Sequence, residues 1–395
     1  MPRLSRRLHS ALAAGLLALL GACAVSPPTP TPPSAALPAA PAAPPEPAAT
    51  AAAPPGDDKP GPALLRTQAR WVPVAWSALP GWGADRASEL WPALRASCAR
   101  PAPAWVAVCS RVAQFTPPDD GFAQDFLQRE LAPYRVESLA GEALGLATGY
   151  FEPLVAASRQ RRPGFTIALH KPPADLAQRK PYWTRQQLDT LPEAIARLRG
   201  QEIAWLASAL DLLVLQIQGS GRLRISEPDG RQRTVRVAYA GHNDQPYKSV
   251  GRWLIEQGEL RTEQASWPGI KAWAQRNPKR VNELLWSNPR YVFFREEPLP
   301  DPPVGPKGAQ GVALTPGRAI AVDPQSIPYG TPVWLDSTEP LSETKLRRLA
   351  MAQDTGSAIT GAVRADYFWG WGEDAETQAG RMKQPLRMWA LWPKP

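Results

Sequence analysis

A long segment of this chain, residues 24–62, consists almost entirely of alanine, proline, serine and threonine. It has no periodic pattern of apolar residues that a core could bury. Proline-rich segments favour extended conformations of about 3.1 Å per residue, so roughly 40 residues reach on the order of 100 Å. The composition therefore predicts a tether, and it confines the folded body to residues 63–395.

The residues before the tether have the pattern of an export signal. Arginines within the first seven positions precede an apolar run, residues 11–20, which is shorter than the ~20 residues of a bilayer crossing. The run ends in Leu-Gly-Ala before Cys23, which resembles a bacterial lipobox. It predicts a signal peptide over residues 1–22 and a lipidated Cys23 as the mature N-terminus. A signal peptide followed by a chance cysteine is the alternative.

A lipidated Cys23 would attach the protein to a membrane that it does not cross. Each buried acyl CH₂ group contributes about 0.8 kcal/mol, so several chains on one residue anchor it firmly. Ala24 follows the cysteine, where an aspartate would retain a lipoprotein in the inner membrane of enteric bacteria. We therefore expect the protein to be anchored at the periplasmic face of the outer membrane.

Cys98 and Cys109 are the other two cysteines. Disulfides form in exported chains, so the pair predicts one. The alternative is two buried thiols on neighbouring helical segments, residues 89–97 and 105–113. Neither state implies catalysis.

The formal net charge of +9 is modest for 395 residues, and no run of five basic residues occurs. A nucleic-acid partner is therefore not expected. A mildly basic exported protein suits an acidic polymer or an anionic membrane surface, although solubility explains the charge equally well.

The folded body alternates strand-like and helix-like segments. Carboxylates in the first turn and spaced apolar residues predict a helix over residues 119–131, and residues 211–225 predict two strands joined by a glycine turn. The other predicted segments are strands at 148–155, 234–239, 291–294 and 349–354, helices at 248–257 and 279–286, the latter with Asn277 as its N-cap, and two strands within 317–335. The pairs 358–359 and 362–363 are predicted to lie beside the strand that enters Asp354.

Metal and serine chemistry have little support in this sequence. His170 and His242 are the only histidines after the leader, and no H-E-x-x-H motif occurs. Ser220 lies in Gln-Gly-Ser-Gly, which lacks the G-x-S-x-G spacing of a nucleophile elbow and suits a hairpin. We expect neither a metal nor a cofactor.

Carboxylates remain, and three aspartates stand out at glycine-rich strand ends: Asp323, Asp354 and Asp366. Glycosidases place two carboxyl groups roughly 5 to 9.5 Å apart. An aspartate at such a position can equally cap a turn. Aromatic residues follow Asp366 directly, and apolar surroundings hold a carboxyl protonated, as an acid catalyst requires.

Seven ordered motifs make the chain, over residues 64–395, similar to the membrane-bound lytic murein transglycosylase A family. They are Thr148-Gly-Tyr-Phe-Glu-Pro153, Gln216-Ile-Gln-Gly-Ser-Gly221, Tyr239-Ala-Gly-His-Asn243, Tyr247-Lys-Ser-Val-Gly251, Asn288-Pro-Arg-Tyr-Val-Phe-Phe294, Ile327-Pro-Tyr-Gly-Thr331 and the segment from Asp354-Thr-Gly to Asp366-Tyr-Phe-Trp-Gly370. His242 departs mildly from the pattern, at a loop position where other members carry lysine or another polar residue.

The resemblance implies a mainly β fold with helices (α+β). A double-psi β-barrel domain would comprise residues 63–155 and 298–395, with a smaller β-rich domain inserted at 156–297. A groove between the two would hold a peptidoglycan glycan strand. Complexes with cell-wall synthesis or division proteins are left open.

The resemblance also implies roles for residues at the matching positions. Asp366 would be the single catalytic acid/base, and Asp354 its catalytic neighbour that orients and tunes it. The implied substrate-binding residues are Asp323, Thr148, Gly149, Tyr150, Gln216, Gln218, Gly219, Ser220, Gly221, Tyr239 and Asn243.

The implied reaction cleaves the bond between N-acetylmuramic acid and N-acetylglucosamine and forms a 1,6-anhydro end. One aspartate can suffice, because the attacking C6 hydroxyl is already tethered to the reacting sugar. Two alternatives stand beside it: a non-catalytic peptidoglycan-binding lipoprotein, and a hydrolase that uses Asp366 with Asp354 or Glu152 and water.

Overall fold

The computed structural model describes residues 61–300 and 303–394. The predicted signal peptide, Cys23 and nearly all of the predicted tether lie outside these residues. None of the helices within them is long and apolar enough to cross a membrane.

The described residues form fifteen strands and ten α-helices. The strands are β1 Leu64–Leu65, β2 Arg70–Pro73, β3 Leu131–Glu137, β4 Gly145–Glu152, β5 Leu154–Ser158, β6 Ile167–His170, β7 Glu202–Leu206, β8 Ser220–Ser226, β9 Gln232–His242, β10 Val292–Glu297, β11 Ala319–Val322, β12 Pro332–Thr338, β13 Lys345–Asp354, β14 Arg364–Trp371 and β15 Lys383–Pro393. The helices are α1 Trp91–Cys98, α2 Val106–Val112, α3 Asp120–Glu130, α4 Arg185–Thr190, α5 Pro192–Leu198, α6 Ala209–Gln218, α7 Val250–Glu256, α8 Trp267–Arg276, α9 Val281–Ser287 and α10 Glu373–Ala379. Short 3₁₀ turns lie at Trp76–Ala78, Ala87–Leu90, Pro103–Trp105, Thr262–Gln264 and Pro278–Arg280.

Six strands close into a ring, which we call the barrel: β4, β15, β12, β13, β11 and β14, in that order. Closure depends on β15, which pairs with β4 through its first residues and with β12 further along. Two neighbouring pairs, β11 with β13 and β14 with β4, are parallel. Strands β3, β2 and β1 extend the sheet beyond β15.

Alternate residues of the barrel strands fill its interior, as the two-residue period of a strand requires. Ile320, Val333, Ala350, Tyr367 and Met388, from five different strands, are all buried in this core. A fully buried large aliphatic side chain contributes about 1.5–3 kcal/mol, so this packing holds the ring closed.

Helices α1, α2 and α3 cover one outer side of the barrel. Trp334 and Leu349, which alternate with interior residues, pack there against Leu94 of α1. Cys98 and Cys109 form a disulfide that joins α1 to α2.

A second sheet contains six strands in the order β10, β9, β8, β5, β7, β6. Its core includes Leu169, Leu223, Val235 and Phe294. Helix α6 packs on this sheet, and α7, α8 and α9 pack on the far side of α6. The mainly β fold with helices, a barrel and a smaller β-rich part, is therefore confirmed. The chain passes from β4 in the barrel to β5 in the second sheet at Pro153; the domain boundaries themselves stay predictions.

The predicted strand at residues 211–218 is wrong, because these residues belong to helix α6. Ser208 caps the helix by accepting a hydrogen bond from the Leu210 N–H. Gly219 ends it with φ +77°, the left-handed conformation that glycine favours. Leu212 packs on the second sheet and Leu213 on the other helices, so the helix is buried on several sides. Its apolar run therefore had no helical period to detect.

Of two smaller predictions, one holds in part and one fails. Asn277 is at the N-cap position before Pro278–Arg280, but its side chain accepts no capping bond; its amide donates to the Trp273 carbonyl instead. Residues 358–359 and 362–363 lie in a loop that precedes β14. The helix predicted at 119–131 is confirmed as α3, whose first turn is capped by Asp119 accepting from the Phe122 N–H.

Candidate active site

Asp366 and Asp354 lie on the two strands that flank β11. Ala321 of β11 is the register partner of Asp366 on β14 and of Asp354 on β13. Thr148 of β4 is in turn the partner of Asp366. Laterally adjacent residues of a sheet project to the same face, and neighbouring strands lie about 4.8 Å apart. The two carboxyl groups therefore project from one face of the barrel, two strand spacings apart at their backbones.

A β-bulge brings Asp354 to that face. The register of β11 and β13 moves from Ile320 opposite Ala352 to Ala321 opposite Asp354, which leaves Gln353 as the extra residue. The Gln353 amide is buried and donates to the Ala93 carbonyl, which anchors the bulge to α1. Bulges re-aim side chains in this way, since one extra residue reverses the alternation of faces.

The Asp366 carboxyl has a hydroxyl and a guanidinium near it. Oδ1 accepts a 2.6 Å hydrogen bond from the Thr148 hydroxyl. Burial raises the pKa of Asp366, while the Thr148 hydrogen bond and the positive charge of Arg364 act in the opposite direction. The residue keeps partial exposure, so it is accessible to a ligand.

The Asp354 carboxyl is held by two donors. Oδ1 accepts from the Ala309 N–H at 2.9 Å, and Oδ2 accepts from the Tyr150 hydroxyl at 3.0 Å. Burial raises the pKa of Asp354 to about 6; backbone and Tyr150 hydrogen bonds oppose this, and the charge of Asp366 adds to it. A carboxyl with this pKa titrates near neutrality.

An apolar layer lies beneath the two acids. Ala321, Phe368 and Tyr150 pack together in one buried cluster, with the Phe368 and Tyr150 rings 5.0 Å apart. Of the aromatic residues that follow Asp366, Phe368 lies on this face, while Tyr367 points into the barrel core. Phe368 therefore contributes to the low-dielectric setting that the sequence predicted.

Tyr247 lies in the loop before α7, and it is partly buried. Burial raises the pKa of Tyr247, and the nearby charge of Asp366 raises it further. Tyr239 of β9 is 46% exposed. Its predicted substrate contact stays a prediction.

Asp323 does not join the pair. Its Oδ1 accepts from the Gln325 N–H and its Oδ2 from the Gly361 N–H, so both oxygens hold loops. The turn-capping interpretation therefore describes Asp323 better than substrate binding.

Asn243 has no exposed surface, which does not fit the prediction of substrate binding. Its amide donates to the carbonyls of Trp183 and Pro289, and its Oδ1 accepts from the Tyr291 N–H. The side chain is fully used in joining three backbone segments.

The Gln-Ile-Gln-Gly-Ser-Gly segment is also largely structural. Gln216 is buried and donates to the Val292 carbonyl. Gly219 ends α6, and Ser220 is buried at the start of β8. A Cβ on Gly221 would lie 2.1 Å from Leu215 Cδ2, so close packing requires the glycine. These burials do not fit the predicted substrate contacts.

Gly149 and Gln218 line a cavity of about 450 Å³ that contains neither aspartate. Because residues alternate along β4, Gly149 faces away from the side that Thr148 and Tyr150 share. The Gln218 side chain accepts from the Phe151 N–H. The cavity is thus separated from the acids by strand β4.

Glu152 is fully buried and forms salt bridges with Arg222 and Arg236 of the second sheet. It has no access to a substrate, so the hydrolase alternative loses Glu152 as its second carboxylate.

Arg364 and Tyr247 lie near Asp366 but are not among the site residues predicted from the sequence. Arg364 stands two positions before Asp366 in β14, so strand alternation alone would have placed it on the same face. Tyr247 lay within a recognised motif, but only the tertiary fold brings it to the acids.

Two family models match the sequence. The model described as the MltA specific insert domain matches residues 146–295, and the 3D domain model matches residues 318–392. Both acids of the site lie within the second match.

Curated relatives are similar over much of the folded body. Membrane-bound lytic murein transglycosylase A of Vibrio cholerae is 31% identical over 252 residues, which cover 62% of this chain and 65% of the relative. The Escherichia coli K12 protein of that name is also 31% identical, with 64% of its length covered. The chain thus spans slightly less than two thirds of these relatives.

Solved structures extend the similarity. The lytic transglycosylase LtgG of Burkholderia pseudomallei is 45% identical, with a TM-score of 0.58, and the alignment covers 85% of this chain and 98% of that one. MltA of Neisseria gonorrhoeae is 31% identical, with a TM-score of 0.71 and coverage of 85% and 96%. Escherichia coli MltA with bound chitohexaose is 26% identical, with a TM-score of 0.65 and coverage of 85% and 95%.

Proposed function

Since this chain belongs to the membrane-bound lytic murein transglycosylase A family, we propose that it is a lytic transglycosylase. It cleaves the β-1,4 bond between N-acetylmuramic acid and N-acetylglucosamine in peptidoglycan and leaves a 1,6-anhydromuramyl end.

The observation that carries this proposal is the placement of Asp366. It is a partly exposed carboxyl with no salt bridge among the described residues, and its pKa is raised by burial. Such a group can be protonated when the substrate arrives, which an acid catalyst requires.

In the proposed reaction, Asp366 serves as acid and then as base. Its proton passes to the glycosidic oxygen as the bond from that oxygen to the muramyl C1 breaks. The resulting carboxylate then takes the proton of the muramyl C6 hydroxyl as O6 bonds to C1. The carboxyl is restored, and no water is consumed.

Tethering explains why a second reacting carboxylate is unnecessary. The C6 hydroxyl belongs to the sugar that it attacks, and intramolecular placement of this kind supplies a very high effective concentration. Asp354 lies on β13, and β11 separates it from Asp366 on β14. When ionised, Asp354 would stabilise the positive charge that develops at C1. Its bonds to Tyr150 and Ala309 hold that carboxyl in place.

The cellular setting is part of the same proposal. Lipidation of Cys23 would anchor the protein at the periplasmic face of the outer membrane, and the tether of residues 24–62 would let the body reach the murein layer. The curated relatives are named as membrane-bound proteins, which supports an anchor.

The test is digestion of purified murein sacculi by the wild-type protein and by Asp366→Asn, followed by mass spectrometry of the released fragments. We expect 1,6-anhydro ends from the wild type and a loss of at least about 100-fold in the variant. Asp323→Asn, which changes a loop-holding aspartate, is the matched control and should retain the reaction.

Other products would overturn the proposal. Reducing ends would indicate a hydrolase, and murein binding with no new ends would indicate a non-catalytic protein. An Asp366→Asn variant with wild-type activity would remove Asp366 from its role.

A further inference from the structure

A chain of two hydrogen bonds runs along the face that carries the acids. Arg364 Nη2 donates to the Thr148 hydroxyl oxygen at 2.8 Å, and that hydroxyl donates to Asp366 Oδ1 at 2.6 Å. The position of the guanidinium is also fixed by its Nη1, which donates to the Ala365 carbonyl at 2.6 Å. All three side chains come from the parallel pair β4 and β14.

The chemistry of the donors fixes the direction of this chain. A guanidinium has only N–H donors and accepts no hydrogen bond. The Thr148 oxygen therefore accepts from Arg364, and its single proton must point elsewhere. The Asp366 Oδ1 atom is at hydrogen-bond distance, so Oδ1 must act as an acceptor.

We propose that Arg364 is a positioning residue which, through the Thr148 hydroxyl, keeps the acid proton of Asp366 on Oδ2. An Oδ1 that accepts from Thr148 cannot carry a proton directed at the same hydroxyl. Oδ2 is then the atom that protonates the glycosidic oxygen. The inference rests on the proposed function of Asp366, and it changes the role of Thr148 from substrate binding to positioning.

The arrangement helps both halves of the reaction. In the first half, the Oδ2–H bond breaks as the new O–H bond forms on the departing sugar, and the Thr148 hydrogen bond stabilises the carboxylate that remains. In the second half, Oδ2 regains a proton from the C6 hydroxyl while O6 bonds to C1. Without the chain, the proton would divide between two oxygens, only one of which faces the substrate.

The charge of Asp366 acts on four ionisable groups of the elements around it. Arg364 lies on its own strand, Tyr150 on β4, Asp354 on β13 and Tyr247 in the loop before α7. Thr148 and Arg364 both lower the pKa of Asp366. Removal of either should raise this pKa, so the fall in rate at high pH should move to higher pH.

The test compares Thr148→Val with Thr148→Ser, using pH profiles of kcat and KM on solubilised glycan strands. We expect Thr148→Val to lose about 10- to 100-fold in kcat at low pH, with KM little changed and with the basic limb moved to higher pH. Thr148→Ser keeps the hydroxyl and should restore both the rate and the profile.

Arg364 is tested by Arg364→Met and Arg364→Lys, because lysine is also a donor without acceptor capacity. Arg364→Met should change the pH profile of kcat in the same way as Thr148→Val. Arg364→Lys should show a smaller change than Arg364→Met. The double variant Thr148→Val with Arg364→Met should be no slower than Thr148→Val, because the effects of residues in one hydrogen-bond chain are not additive. Arg387→Met, an exposed arginine on β15, is the control and should match wild type.

The inference is overturned if Thr148→Val keeps both the wild-type rate and the wild-type fall in rate at high pH, or if Thr148→Ser is as impaired as Thr148→Val. It is also overturned if the fold-loss in kcat of the double variant equals the product of the fold-losses of the two single variants. In each case Asp366→Asn would still be inactive. A fully active Asp366→Asn would instead reject the proposed function. If Arg364→Met does not fold, the serine and valine pair with Arg364→Lys still decides the question.

Discussion

Strand β4 takes part in two acidic environments that differ from one another. Near its middle, Thr148 bonds to Asp366, which has no salt bridge among the described residues. At its end, Glu152 is fully buried and bridged by Arg222 and Arg236. Thr148 and Glu152 are only four positions apart along the strand.

The difference separates a structural carboxylate from the one that we propose to be reactive. Two guanidinium groups neutralise Glu152 and join the barrel strand to β8 and β9 of the second sheet. Asp366 receives a neutral hydroxyl instead, and its pKa is raised by burial. A buried acid that has to exchange a proton must not be held by a direct ion pair, whereas one that holds two sheets together must be.

The largest effect is expected for the stability of the fold when Glu152 is changed. Glu152→Gln leaves two buried arginines without their counter-charge, which should lower the free energy of unfolding by about 3–5 kcal/mol. Urea denaturation measures it. Asp366→Asn is the comparison and should cost less than about 0.5 kcal/mol at pH 7, because it removes a carboxyl that burial disfavours. Equal losses in the two variants would erase the distinction.

The second effect is a pH dependence at Asp354, whose pKa is raised to about 6 by burial. A carboxyl with a higher pKa in the folded state destabilises the fold when ionised, so this penalty is present above pH 6 and disappears as the pH falls below about 4. The stability of Asp354→Asn relative to wild type should therefore be greater at pH 7.5 than at pH 4, by about 1–3 kcal/mol.

Denaturation at the two pH values measures this difference. Asp229→Asn is a control of opposite sign, because hydrogen bonds from Arg231 lower the pKa of Asp229. An acid of lowered pKa adds stability at pH 7.5 that is lost on acidification, so its removal should cost more at pH 7.5. The same sign in both variants would contradict the assignment for Asp354.

The third effect concerns the aspartate that lies outside the pair. Asp323→Ala removes acceptors for the N–H groups of Gln325 and Gly361, which should cost about 1–2 kcal/mol of stability. The rate per folded molecule on murein should not change. A large fall in kcat with unchanged stability would return Asp323 to the active site.

The smallest effect is expected for Tyr150→Phe, which keeps the ring but removes the hydroxyl that donates to Asp354. We expect a loss of about 1 kcal/mol in stability and a higher pKa for Asp354, since that hydrogen bond favours the carboxylate. The pH above which the stability difference for Asp354→Asn reaches its full value, measured in the Tyr150→Phe background, should move upward.

Part of this site could be predicted from the sequence. Asp354 and Asp366 lie in apolar, strand-like segments of the sequence. Because residues 63–395 contain two histidines, carboxyl groups are the main candidates for acid/base catalysis. Their common face could not be predicted, because it depends on the bulge at Gln353. That bulge exists only in the pairing of β13 with β11, which no local pattern specifies.

The errors have a common physical cause. Helix α6 is buried on several sides, so its apolar residues lack the period that separates helix from strand. Asn243 and Gln216 are polar residues in recognisable motifs, and such residues suggest a binding site. In the fold they satisfy buried backbone groups instead, a role that is visible only once the segments they join are in place.

The closing strand β15 has a consequence for when the protein can work. Thr148 and Asp366 are separated by 218 positions along the chain, and their strands belong to a ring that β15 completes. A polypeptide that ends before Lys383 leaves β4 and β12 without their shared neighbour. The proposed cleavage of murein would therefore require a chain that extends through β15.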